Sequence, residues 1–239
     1  MPTIDHKFLE SLMMKSHPFD NLIEGNLKNT LANFFAMSQS FPYIQSGTQK
    51  KLYDHYIDNN IQIDKPLEIT TVVANFLSWD ETGGLYVTLR KKMAGISDIL
   101  QTDKYFHSNY LRDDLVTLFG HAITPLYSDV TKNYLNNLYL NLSNIDAVKR
   151  CATMVSFEEH ANQMILSLWN SLSGIFTNIE KNDLKYFYGH VGGDDPAESY
   201  HVKMTEEMIS ILADTSEKQN TFIEHFRKCI HCISNGARI

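Results

Sequence analysis

In the stretch RCATMVSFEEHANQMILSLWNSL, residues 150–172, apolar side chains return every three or four positions, with Met154, Phe157, Ala161, Ile165, Leu168 and Trp169 on one stripe. That spacing suits a long amphipathic helix and no strand. The same period recurs elsewhere. Leu27, Leu31, Phe34 and Phe35 share a stripe in NLKNTLANFFAMSQSF, as do Tyr134, Leu135, Leu138 and Leu142 in TKNYLNNLYLNL. β-branched residues are dense only at 61–63 and 69–73, too few and too isolated to build a sheet. Breaks are expected at His17-Pro18, Phe41-Pro42, Lys65-Pro66, Gly83-Gly84, Thr124-Pro125 and residues 192–196. Dividing the chain there predicts an all-α bundle of about seven to nine helices. No linker or internal repeat divides it, so residues 1–239 read as a single domain.

Bulk properties narrow the function. A net charge of -7 with scattered Lys and Arg argues against a nucleic-acid partner. No apolar run is long enough to span a bilayer, and the first residues lack a signal-peptide pattern, so no membrane association is expected. An odd cysteine count makes no disulfide framework, and the expectation is a reduced, cytoplasmic protein. Cys229 and Cys232 form a lone CxxC beside His231, read as one helical turn of partly buried thiols rather than a zinc site. Cys151 is read as a core residue.

Three segments gather carboxylates and imidazoles. In YFYGHVGGDDPAESYHVKM, residues 186–204, a helix ending near His190 meets Gly192 and Gly193, which suit the exit from helical geometry. Asp194 or Asp195 can then cap a new helix that has Pro196 in its first turn. On that helix Glu198 and His201 stand at i,i+3 and share a face, so one ion can touch both. Imidazole with carboxylate suits iron, manganese or zinc. The plainer reading makes the Asp residues caps and Glu198 a solvated first-turn acid. In VVANFLSWDETGGLYVTL, Asp80 and Glu81 follow an apolar run; an acid buried there needs a partner, unless the helix turns to solvent at Asp80. In the long helix Glu158 borders the inward stripe while Glu159 and His160 point further round; a flanking Glu with its head in water is the alternative. Taken together, three helices each send a ligand-type side chain toward one interior, which is how bundles build dinuclear carboxylate sites.

At this point the residues resemble a family. HPFDNLIEGNLKNTLANFFAMSQSFP looks like the opening of the TenA/PqqC group with the heme-oxygenase-like fold. WDETGG, the Glu within SFEEHA and the late His/acid/His cluster resemble the diiron oxidases and oxygenases of that fold, a set that includes CADD-like proteins. The resemblance covers about residues 16–208, taken as the metal-binding core. It implies a compact bundle holding Fe(II)/Fe(III), one or two ions with Mn or Zn as substitutes, that uses O2 to oxidise a small organic substrate. Dimers are common in such folds. Residue by residue it implies Glu81, Glu158 and His190 as ligands. Asp194 stands at the next acid position, but Ala197 replaces the last His, and His201 follows one turn late, preceded by Glu198. Glu198 is preferred to Asp194, which the turn requires; both are candidates. The catalytic set is Glu81, Glu158, His190 and His201. Thr88 stands where the family has a His. His107, the next imidazole along the chain, is read as a packing or capping residue in preference to a ligand. The aromatics near these segments are Trp79, Tyr86, Tyr186, Tyr188 and Tyr200. The alternatives are a metal-free, cofactorless small-molecule-binding protein of the TenA/PqqC type and a CADD-like interaction protein.

Overall fold

Side-chain caps start the helices where the apolar stripes begin. Asp5, Asp64, Ser128 and Asp146 each accept a backbone N–H from the first turn that follows. The computed structural model describes residues 4–84, 100–191 and 196–236, with 196–199 and 233–236 as backbone alone. Among the described residues there are nine α-helices and no strand. They are α1 (His6–Leu12), α2 (Glu24–Asp58), α3 (Lys65–Glu81), α4 (His107–Phe119), α5 (Asp129–Leu142), α6 (Ala147–Ile175), α7 (Lys185–Val191), α8 (Pro196–Leu212) and α9 (Ser216–Gly236).

Helix α6 is the axis of the bundle. It packs against α3, α5, α7, α8 and α9. Its N-terminal half is buried on every side, Arg150 to Ser156 without a break, so a one-sided stripe describes only the later turns. The Arg150 guanidinium is wholly buried. It donates to the carbonyls of Asn144 and Ile145 at 2.6 and 2.8 Å and to Thr70 Oγ1 at 3.1 and 3.2 Å, tying the α5–α6 turn to α3. Helix α2 lies across α3, α4 and α5. No helix among the described residues is long and apolar enough to cross a membrane.

Two expectations are corrected. Phe41-Pro42 does not break the chain, because α2 runs through it. Proline removes one backbone donor and crowds the preceding turn. Here the Pro42 carbonyl accepts from Ser46 Oγ at 3.0 Å and from Ser78 Oγ of α3 at 3.1 Å, so the backbone at the proline is bonded both within α2 and to a neighbouring helix. His160 does not point away from the core: it is 1% exposed and packs against His17. The other breaks stand where expected: His17 caps a 3-10 turn over Pro18–Asn21, Pro66 lies in the first turn of α3, α3 ends before Gly83-Gly84, and Pro125 lies between α4 and α5. The expected break at residues 192–196 lies almost wholly outside the described residues.

Candidate metal centre

Helix α3 delivers two acids at its last turn. Thr70, Val73, Leu77 and Asp80 follow one another on the buried face, so Asp80 continues an apolar stripe inward and is 3% exposed. Glu81, one residue on, is half-buried beside it. Two glycines let the chain leave at that point. Gly83 has φ of +81°, and a Cβ there would stand 2.2 Å from the Cβ of Tyr105; a Cβ on Gly84 would strike the Trp79 indole. This close approach seats the chain just ahead of α4 against the end of α3. His107, the first residue of α4, thereby meets Glu81, with Nδ1 3.6 Å from Oε2.

From α7 comes His190, whose ring stands 5.0 Å from that of His107 at 88°. Ligand atoms of Glu81, His107 and His190 all lie within 4.8 Å of one another. Donors around one ion sit roughly 3–4 Å apart when metal–ligand bonds are about 2.1 Å, so small rotations of these side chains would close them on a cation. His190 Nδ1 donates to the Tyr186 carbonyl at 2.7 Å, which assigns the proton to Nδ1 and leaves the lone pair on Nε2.

A second group faces the same pocket. His201 of α8 sits between two acids, its Nδ1 3.3 Å from Glu158 Oε2 of α6 and its Nε2 3.0 Å from Asp80 Oδ2. The Asp80 oxygen lies off the line of a hydrogen bond, so the buried Nε2 makes none. Burial favours the neutral ring, yet the two carboxylates outweigh it and push the imidazole up to about 11. Burial likewise opposes charge on Asp80, but His201, His107 and His190 hold its carboxyl below the ordinary value. Asp80, Glu81, His107, Glu158, His190 and His201 all line one pocket, walled by aromatic and aliphatic side chains including Phe34, Phe41, Tyr134, Leu138 and Phe157. Phe41 and Phe157 stack at 4.1 Å and 5°.

Glu81, Glu158, His190 and His201 are therefore brought to one place. Asp194 and Thr88 lie outside the described residues, as does the side chain of Glu198. His107 is corrected from a packing residue to a member of the cluster. It opens the buried face His107, Leu111, Asp114, Leu118, and that spacing is a signal the sequence did carry. Asp80 was missed as a ligand candidate, although its place on the α3 stripe marked it. The residues that converge to ligand distance, Glu81, His107 and His190, are one carboxylate and two imidazoles, a set that fits iron, manganese or zinc, while His201 lies between Asp80 and Glu158 as an ion-paired ring. Of the nearby aromatics Tyr186 lines the pocket, 4.2 Å from the His190 ring, whereas Trp79, Tyr188 and Tyr200 are substantially exposed and Tyr86 lies outside the described residues.

No family model matches this sequence, and no curated protein matches it. Among solved structures, a CADD-like protein of unknown function from Nostoc punctiforme PCC 73102 superposes with a TM-score of 0.62 at 15% identity, over 97% of this chain and 93% of that one. The chain is thus an all-α protein that shares the fold of a CADD-like protein.

Proposed function

We propose that this chain is a nonheme iron oxidase or oxygenase that uses dioxygen to oxidise a small organic molecule in the bundle core. The observation that carries the reading is the meeting of Glu81, His107 and His190, donors from three helices within 4.8 Å, on the pocket that also holds Asp80, Glu158 and His201. The sequence resemblance to diiron oxidases of the heme-oxygenase-like fold supports it.

Glu81, His107 and His190 would hold one ion; a second would require His201 to turn out of its place between Asp80 and Glu158 so that the three converge. Iron so held supplies the binding and reduction of dioxygen. The residues do the rest. To turn a lone pair to a cation, His201 would have to give up the extra proton it holds between Asp80 and Glu158. The carboxylates of Asp80, Glu81 and Glu158 would offset most of the charge of two divalent ions. Phe41, Phe157 and their neighbours exclude bulk water and present an apolar wall to the substrate.

Anaerobic titration of the apo-protein with Fe(II) tests this. The expected result is about one to two irons per chain, by analogy with dinuclear sites, and oxygen consumption on exposure to air. Failure to bind iron under reducing, anaerobic conditions would sink the proposal. One observation favours a metal-free binding protein instead: His201, charged between two acids, already neutralises part of the pocket without a cation. That reading expects a retained organic ligand in native mass spectrometry and unchanged ligand binding in Glu158→Ala.

A further inference from the structure

We propose that Asp114 is a positioning residue for His190, acting through the peptide unit that joins Tyr186 to Phe187. The inference rests on the metal-site reading above.

Asp114 lies on α4 and is 2% exposed. Its Oδ1 accepts the Lys185 N–H at 2.8 Å, and its Oδ2 accepts the N–H groups of Tyr186 and Phe187 at 2.8 and 3.4 Å. These are the first three amides of α7, so one buried carboxylate caps the whole first turn. A helix as short as α7 does not hold itself in water and depends on such tertiary support. The Phe187 N–H and the Tyr186 C=O belong to the same peptide. On its carbonyl side that peptide accepts the His190 Nδ1–H at 2.7 Å. Above about pH 7, where the raised Asp114 carboxyl is ionised, its negative charge on the amide side polarises the peptide and makes its carbonyl the stronger acceptor. A stronger acceptor at Nδ1 orients the ring and raises the basicity of Nε2, the nitrogen left for a cation. The same helix α4 begins with His107, two turns before Asp114 and on the same face. One rigid element therefore carries one imidazole of the cluster and anchors the other.

A plain helix cap would affect stability alone; a relay also changes His190. The test compares Asp114→Asn, which keeps one acceptor oxygen for the Tyr186 and Phe187 N–H groups but drops the charge and sets its NH2 against the Lys185 N–H, with Asp114→Ala, which drops every acceptor. Asp146→Ala serves as a control, since Asp146 caps α6 through Val148 and Lys149. In 15N-histidine-labelled apo-protein kept above about pH 7, so that Asp114 is ionised, and with the resonance assigned through His190→Gln, Asp114→Asn is expected to shift the His190 Nδ1–H signal upfield and speed its exchange. Co(II) affinity is expected to fall roughly 10–100-fold, the usual scale for loss of such a partner. Asp146→Ala is expected to lower the melting temperature with neither change. An unshifted resonance in Asp114→Asn, or wild-type Co(II) affinity in a folded Asp114 variant, overturns the proposal. Should the wild-type protein bind no Co(II), Fe(II) or Zn(II), the metal-site reading fails by itself, and the resonance still decides whether Asp114 acts on His190.

Discussion

His17 and His160 meet ring to ring in the core, Nε2 to Nε2 at 3.2 Å. His17 Nδ1 accepts the Phe19 N–H, so its proton sits on Nε2 and is donated to His160. A second proton on either ring would face N–H to N–H or break the Phe19 contact. Burial lowers His17 to about 4; burial and then the charge of His17 lower His160 to about 3. In the unfolded chain both rings take up protons near 6.5, whereas in the native state they stay neutral well below that. The unfolded state therefore binds more protons between pH 6.5 and about 4, and stability falls as pH falls through that window. Each ring contributes a slope of up to about 1.4 kcal/mol per pH unit. Asp114 opposes them: burial, against the pull of three N–H groups, raises it from 3.8 to about 7, so the native state holds a proton there that the unfolded state has released. Two histidines against one aspartate leave a net loss on acidification. Thermal melts should show it, and His160→Gln should flatten the slope. The thiols give a second prediction at this scale. Cys151 is fully buried and held far above its ordinary pKa by that burial, and burial raises Cys229 as well, whereas Cys232 is exposed. A thiol-specific disulfide reagent should titrate one fast cysteine in the native protein and three in denaturant.

Two glycines with positive φ end helices, for different reasons. Gly120 at the end of α4 has φ of +71° and open space where a Cβ would go, so Gly120→Ala should cost only the backbone term, about 1 kcal/mol, and leave metal binding intact. Gly83 needs both the conformation and the room, because Tyr105 fills the space a Cβ would take. Gly83→Ala should cost more and push α3 and the chain before α4 apart. Since Asp80 and Glu81 lie on one side of that contact and His107 on the other, iron binding should fall together with the melting temperature. Isothermal titration and calorimetry on the two variants separate the cases. At this scale the apolar period was a reliable guide: Leu27, Leu31, Phe34 and Phe35 are all buried, as are Tyr134, Leu138 and Leu142. The proline signal misled at Pro42, where α2 runs on and Ser78 of another helix donates to the Pro42 carbonyl, and the period misled at His160, whose polar ring is buried against its partner His17.

For the molecule as a whole, the two ligand groups predict separable occupancy. Iron content should fall by about one equivalent in Glu81→Ala or His190→Ala and by about one in Glu158→Ala or His201→Ala, with the double variant Glu81→Ala/Glu158→Ala close to empty, if each group holds one ion as dinuclear sites do. Metal analysis after anaerobic loading and desalting measures this. The chain alone determined that these residues form helices and which faces turn inward, because helical period and capping depend on neighbours a few positions apart. It also marked Glu158, at the edge of an apolar stripe, and His190 and His201, gathered around one helix break, while Glu81 was singled out from Asp80 by the resemblance to diiron oxidases. Only the tertiary structure decided that His107 joins Glu81 and His190, and that Asp80 pairs with His201. Those choices turn on how α3, α4, α7 and α8 lie across α6, a matter of packing between distant segments that no local spacing encodes.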